Sequence, residues 1–276
     1  MIIYGSRMYG RKDKIHSWGY CEKCGKYIKQ ASYRGRKWSH INFIPIFPKG
    51  PYMYVIKECK KCSVGLHIAL TDLPEMIEKI EDDVETAIAA LHDGQEYFLV
   101  KDEDGEEVAQ PCADTLIEAI EILYCTGRDE AVKELLTAID KENYRKVYYL
   151  VKGKLLEFQG KIDEAIILFE RAVQNYPDDE NAYWLLAVAL YNAGKLKEAR
   201  EAYENLLEIT SEKSDVMFIL LDIYDELKEY LAMTETFERC FEEHPEYAKQ
   251  QKFVKRYKKA CKKAGTKPKL ELITTQ

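Results

Sequence analysis

The chain is poor in the residues and motifs from which most enzyme sites are built. Its 276 residues include only 5 scattered histidines. It has no phosphate-binding glycine loop, Gly-x-Ser-x-Gly elbow or His-Glu-x-x-His helix, so the common routes to phosphoryl, acyl and zinc-peptidase chemistry are missing. The acidic pairs Asp82-Asp83 and Asp178-Asp179 read as solvated helix and turn residues, not as an acid/base couple. No apolar run approaches the roughly 18 to 20 residues of a membrane helix; the longest, residues 41–47, is interrupted by Asn42 and Pro45. The opening MIIYGSRMYGRKDK lacks the apolar centre of a signal peptide. These absences predict a soluble, cytoplasmic, non-enzymatic protein with no membrane partner.

What is present is ordinary in bulk and uneven in detail. With 46% hydrophobic and 32% charged residues, wholesale disorder is excluded. The net charge of -7 conceals four blocks. Residues 1–70 carry 14 basic against 3 acidic side chains, residues 71–111 carry 2 against 14, residues 112–247 carry 15 against 30, and residues 248–276 carry 10 against 1. A basic head, an acidic body and a basic tail imply segments with different jobs.

Four of the 8 cysteines fall into two C-x-x-C pairs, Cys21/Cys24 and Cys59/Cys62; Cys112, Cys125, Cys240 and Cys261 have no regular spacing. Without a secretory signal, paired C-x-x-C turns point to a metal before disulfides. Two such turns supply the four thiolates of a closed tetrahedral zinc site, with turn amides free to hydrogen-bond to sulfur and Gly25 suited to a left-handed turn position. The 34 residues between Cys24 and Cys59 exceed the common interval of roughly 15 to 20. Aromatic and β-branched stretches at 27–33, 37–43 and 52–57 nonetheless read as strands, with turns at Arg34-Gly35-Arg36 and Pro48–Pro51 and a further strand at 65–70. A thioredoxin-like redox pair, an iron or iron-sulfur site, and His40 as a substitute ligand are the alternatives; His16 and His67 read as surface or packing residues.

The segment CEKCGK followed by KWSHINFIPIFPKGPYMYVIKECKKCSVGLHIAL resembles a bacterial zinc-ribbon family, with CxxCG, an aromatic FIPIFP stretch, a second CxxC and a closing strand. The resemblance covers about the first 70 residues and implies a small β domain around one structural Zn2+ held by Cys21, Cys24, Cys59 and Cys62. Ser63 departs from the glycine usual after the second pair. Such a head is too small to hold itself together by burial, so chelation is expected to melt residues 1–70 and leave the helices intact. Its cations, Lys12, Lys14, Lys23, Lys26, Lys29, Arg34, Arg36 and Lys37, interleave with Tyr20, Tyr27, Tyr33 and Trp38, a composition suited to nucleic acid. The competing reading docks the same surface on the acidic body or on a partner protein.

Apolar residues from Leu73 to Leu91 at helical spacing predict a connector helix over 72–92, with Asp72 as N-cap and Gly94 as stop. A hairpin around the Asp-Gly turn at 102–105 follows; its acidic turn lacks the ligand pattern of a calcium loop. Beyond it the chain repeats itself every 34 residues: Gly160 and Gly194; Ala165, Ala199 and Met233; Phe169, Tyr203 and Phe237; Pro177, Ser211 and Pro245. These positions resemble the tetratricopeptide repeat. The chain therefore divides into a ribbon (1–71), an acidic connector (72–111), repeats at 112–145 (degenerate), 146–179, 180–213 and 214–247, a capping helix (248–264) and a basic flexible tail (265–276). The fold class is mainly α, an α-α superhelix with a small N-terminal β zinc ribbon.

Small residues such as Gly153, Ala165, Ala187 and Ala199 let paired helices approach; Leu221 and Met233 break that rule, so the last repeat is expected to splay or repack. Cys112, Cys125 and Cys240 read as small core residues. The tetratricopeptide resemblance implies a concave face lined by the first helix of each repeat: Lys154, Phe158, Trp184, Val188, Tyr191, Asn192, Phe218, Asp222 and Asp225. That face favours an apolar segment carrying Lys or Arg. The function expected is an adaptor that binds a peptide or helix of a partner protein. The alternative is a nucleic-acid-associated factor whose basic ribbon contacts RNA or DNA while the repeats recruit protein.

Overall fold

The computed structural model describes residues 4–101, 105–140, 142–211 and 213–273. Two compact units comprise residues 1–175 and 176–276. In the first, β1 (Tyr4–Cys21), β2 (Lys26–Ile41), β3 (Ile44–Cys59) and β4 (Leu66–Ala69) form an antiparallel sheet in chain order. The two cysteine turns therefore close one end of the sheet. The β2–β3 turn at Asn42-Phe43, where Ile41 pairs with Ile44, closes the other.

Three sequence expectations shift here. Strand β1 carries no sequence signal, because residues 5–14 hold only Met8 and Tyr9 as large apolar or aromatic side chains and show no alternation; the ladder with β2 carries it, with register shifts around Lys12. Arg34-Gly35-Arg36 is not a turn but the interior of β2. Gly35 serves close approach: a Cβ there would lie 3.2 Å from the Tyr9 carbonyl and from Met8 Cε. Pro48–Pro51 lies inside β3, where Gly50 (φ +72°) and a register shift opposite Arg36/Lys37 absorb the extra residues. The prolines are tolerated because β4 pairs only with Met53–Ile56, leaving that part of β3 an open edge.

The rest of this unit is helical apart from one hairpin: α1 (Leu73–His92), β5 (Tyr97–Lys101), β6 (Glu107–Pro111), α2 (Cys112–Cys125), α3 (Asp129–Ala138), α4 (Arg145–Phe158) and α5 (Ile162–Asn175). The apolar stripe of α1 (Ala87, Ala90, Leu91) joins Phe98 of β5, Ile120 of α2 and Val151 of α4 in one buried cluster. The acidic connector is thus a structural layer with its charges outward. Asp72 makes no side-chain cap to α1 and instead accepts from the Thr71 hydroxyl at 2.6 Å. The acidic turn at 102–104 lies outside the described residues.

The second unit contains α6 (Glu180–Asn192), α7 (Leu196–Ile209), α8 (Lys213–Leu227), α9 (Tyr230–Glu243), a 3-10 turn (Pro245–Lys249), α10 (Gln251–Ala264) and α11 (Leu270–Ile273). Its first helices end alike. After α6, Gly194 N–H donates to the Tyr191 carbonyl and Lys195 N–H to the Leu190 carbonyl; after α8, Lys228 and Glu229 make the same pair of bonds to Asp225 and Tyr224. This is a Schellman stop with its left-handed residue at Gly194 (φ +75°) and, unusually, at Lys228 (φ +61°). The α4 helix of the first unit closes identically on Gly160. Leu221 and Met233 are both buried, and α8 and α9 meet less closely than α6 and α7. An aromatic cluster of Phe218, Phe237, Phe241, Tyr247, Phe253 and Tyr257 seats α10. Beyond it the chain is anchored where a free tail was expected: Lys269 pairs with Glu238 at 2.6 Å and its N–H donates to the Tyr257 hydroxyl at 3.0 Å.

Candidate metal centre and repeat face

Cys21 ends β1 and Cys59 ends β3, and each strand runs straight into a tight turn carrying the second cysteine. Gly25 N–H donates to the Cys21 carbonyl and Ser63 N–H to the Cys59 carbonyl, both at 2.8 Å. Gly25 (φ +61°) and Ser63 (φ +56°) hold the same left-handed position, so the serine changes the cost of the second turn and not its shape. The turns face each other. Cys21 Sγ lies 3.5 Å from Cys62 Sγ, Cys24 Sγ lies 3.8 Å from Cys59 Sγ, and all four sulfurs fall within 4.8 Å of one another. Sulfurs tetrahedrally placed at the zinc-thiolate distance of about 2.3 Å would be separated by about 3.8 Å, so the cluster has the size of a metal cage. All four cysteines are free thiols.

The electrostatics favour a cation between them. Backbone N–H groups of Cys62 and then Lys61 stabilise the Cys59 thiolate, holding its pKa down to about 6 against the desolvation that opposes them. Lost hydration, followed by the neighbouring sulfurs, pushes the Cys24 thiol up to about 12. One thiolate forms readily and a second beside it does not, the arrangement that a divalent ion relieves. His40 stands at the other end of the sheet, beside Ile41.

The sheet is seated on the ends of α2 and α4. Trp18 stacks on Tyr27 at 5.8 Å and lies against Gly160, where a Cβ would come within 2.5 Å of the indole. Tyr27 donates to the Glu157 carbonyl at 2.8 Å, Tyr54 to the Cys125 carbonyl at 3.0 Å, and Tyr124 in return to the His16 carbonyl at 3.1 Å. Ile15 covers Gly127, and Lys57 pairs with Glu121. Burial raises the Tyr27 and Tyr54 pKa values, keeping both phenols as donors. The basic head thus rests on the acidic body through helix-end carbonyls, packing and the Lys57–Glu121 ion pair. Part of the stacking surface expected for nucleic acid is thereby used up: Tyr27 is engaged in the docking and Tyr33 is buried within the sheet's own core, while Tyr20 is exposed. Trp18 and Ile15 carry the docking and were not singled out from sequence, because half-buried packing residues leave no spacing signal.

The residues expected on the repeat face fall into both units. On α4, Phe158 is buried under Lys57, and Lys154 is held by the buried Glu157 at 2.6 Å. On α6, Trp184 meets the Tyr203 ring edge-on at 6.2 Å, Val188 and Asn192 are half-buried, and the Tyr191 hydroxyl donates to Glu226 at 3.3 Å. On α8, Phe218 packs on Tyr247 and Phe253. Asp222 and Asp225 are exposed but already paired with Arg256 (2.5 Å) and Lys263 (3.3 Å) of α10. Tyr191, Asp222, Asp225, Arg256 and Lys263 line an open depression of about 370 Å³ in the second unit.

The tetratricopeptide repeat family profile matches residues 150–214. The chain is similar to the human protein O-mannosyl-transferase TMTC3, with 28% identity over 106 residues, 38% of this chain and 12% of that protein. The mouse counterpart is 30% identical over 87 residues, 32% of this chain and 10% of that protein. The chain thus spans about a tenth of the length of these relatives. Among solved structures, a tetratricopeptide repeat protein from Parabacteroides merdae gives a TM-score of 0.42 at 21% identity, over 55% of this chain and 60% of that one. MamA protein gives 0.40 at 18%, over 59% and 98%. The profile match, taken with the helix pairs above, gives a helical repeat of tetratricopeptide type over residues 150–214, in a chain that opens with a four-stranded sheet. Among the described residues, no helix is long and apolar enough to cross a membrane.

Proposed function

We propose that the protein is a non-enzymatic adaptor: a sheet closed by one structural zinc ion, fused to repeats that bind a peptide or helix of a partner protein. The zinc would be held by Cys21, Cys24, Cys59 and Cys62 as a closed tetrathiolate, which leaves no coordination position for a substrate and supplies folding energy instead of chemistry. The observation that carries the binding reading is the recurrence of one helix face on α6 and α8, which meet at an open depression floored by Tyr191 and rimmed by charge. Asp222 and Asp225 are matched by the chain's own Arg256 and Lys263, so the face offers Tyr191 and Tyr230 among balanced charges and does not select a segment for its Lys or Arg. Trp184 and Phe218 support the face from behind, and Lys154 and Phe158 act as structure in the first unit.

The test is affinity capture by the full chain and by its Tyr191→Ala variant, with identification of what is retained. The proposal predicts a discrete protein ligand that is lost from the variant at unchanged stability. Equal retention by both would place the binding elsewhere.

A further inference from the structure

The end of the sheet farthest from the cysteines has the opposite character from a folded surface. From Ile41 to Tyr52 every residue is exposed. Phe43 is 48% exposed, Ile44 63%, Phe47 68% and Tyr52 57%. This is the end of the sheet where β1 pairs with β2 as far as Ile41; Ile44 and Phe47, opposite Ile41 and Ser39, share one face, and Tyr52, opposite Arg36, lies on the other. The apex is held in a shape unfavourable for one of its residues: Asn42 (φ 48°) and Phe43 (φ 69°) are both left-handed, which asparagine tolerates but which at the second position glycine ordinarily supplies. Tyr9 donates to the Phe43 carbonyl at 2.6 Å and Arg7 lies 4.4 Å over its ring, fixing it there. Apolar exposure of this extent in a strained, braced turn marks an interaction site.

The charge around the tip identifies the occupant. Residues 4–12 and 34–54, the distal half of the sheet, contain Arg7, Arg11, Lys12, Arg34, Arg36, Lys37 and Lys49; Arg11 pairs with Glu58 and Arg34 with Asp13, and the other five carry the excess positive charge. The partner is therefore anionic. Protruding isoleucines cannot stack on bases, and apolar groups on both faces of a hairpin suit a medium that surrounds them, not a flat protein patch. Beside the tip, Ser39, His40, Phe47 and Lys49 line an open pocket of about 470 Å³. His40 is only 5% exposed and its Nδ1 has no hydrogen-bond partner.

We propose that the Asn42-Phe43 hairpin tip docks into the interface of an anionic lipid bilayer, with Phe43, Ile44 and Phe47 entering the headgroup region, the surrounding cations facing acidic headgroups, and His40 and Lys49 receiving a lipid phosphate. This is an interfacial contact, which the lack of a membrane-spanning helix leaves untouched. It departs from the expectation of no membrane partner, which came from the shortness of the 41–47 run and could not register that the run is exposed.

The experiment is cosedimentation of the full chain with sucrose-loaded vesicles of phosphatidylserine and phosphatidylcholine, and of phosphatidylcholine alone. Binding to the mixed vesicles is expected, weakening with salt and absent from the neutral ones. The Ile44→Asp/Phe47→Asp variant, altered only at exposed positions, should lose binding with unchanged circular dichroism and metal content. Lys37→Gln/Lys49→Gln should bind about 25-fold more weakly, from about five-fold per cation. Leu99→Asp, on the exposed face of the other hairpin, should bind like the parent. Failure of the parent to bind acidic vesicles, equal binding by the Ile44→Asp/Phe47→Asp variant, or displacement of the chain from vesicles by single-stranded RNA would overturn the proposal.

Discussion

Trp18 of the sheet lies on Gly160, the residue that ends α4, so closely that a Cβ at 160 would sit 2.5 Å from the indole Cδ1 and Nε1. The same glycine is left-handed (φ +80°) and makes the Schellman stop of its repeat. One missing side chain thus serves both the helix turn and the seat of the cysteine-bearing sheet. Gly160→Ala should cost about 2–4 kcal/mol, combining left-handed strain with overpacking. In a Trp18→Ala background the same change should cost only the strain, about 1–2 kcal/mol. A double-mutant cycle by guanidinium denaturation separates the two, and full additivity would show that the contact is not made.

Gly153 tests the helix packing with a counter-intuitive sign. Alanine in a helix interior ordinarily gains about 1 kcal/mol over glycine. At 153, however, a Cβ would lie 2.4 Å from the Phe169 ring. Gly153→Ala should therefore lower the Tm, by the equivalent of about 1–3 kcal/mol, and adding Phe169→Leu should recover part of the loss. A rise in Tm for the single variant would mean that α4 and α5 are farther apart than described.

Lys228 and Ser63 occupy positions that repetition elsewhere assigns to glycine. Lys228→Gly and Ser63→Gly should each stabilise by about 0.5–1 kcal/mol through relief of left-handed strain, less the extra entropy of an unfolded glycine. Gly194→Ala, at the repeat-equivalent position, should lose about 1 kcal/mol. Thermal melts of the three variants give the comparison, and a destabilising Lys228→Gly would contradict the assigned backbone.

The helical half was legible because its information is periodic. A 34-residue recurrence of Gly160 and Gly194, of Ala165 and Ala199, and of Phe169, Tyr203 and Phe237 reports burial directly, and all of these alanines and aromatics are in the core. The cysteines were legible because two thiols on one turn have little other use. The sheet was read less well. Glycine and proline ordinarily punctuate strands, yet Gly35 is spent on close approach to Tyr9 and the prolines of 45–51 sit on an unpaired edge, while the true turn falls on Asn42-Phe43, where the asparagine is not followed by the glycine that would mark a hairpin. The repeat-face acids were read as free because their partners, Arg256 and Lys263, are 34 and 38 residues away. Their pairing is a property of packing that composition does not encode.

The central claim is that a metal ion held by Cys21, Cys24, Cys59 and Cys62 keeps the sheet folded and seated on α2 and α4. Hydrogen exchange of the full chain, with metal content measured before and after chelation, tests it most directly. The account predicts one zinc per chain. Its removal should release protection at residues 18–30 and 55–64 and at the docking turns around Gly127 and Gly160, while α6 to α9 remain protected. Metal content far below one per chain in protein never exposed to chelator, or exchange at these positions unaffected by complete metal removal, would contradict it.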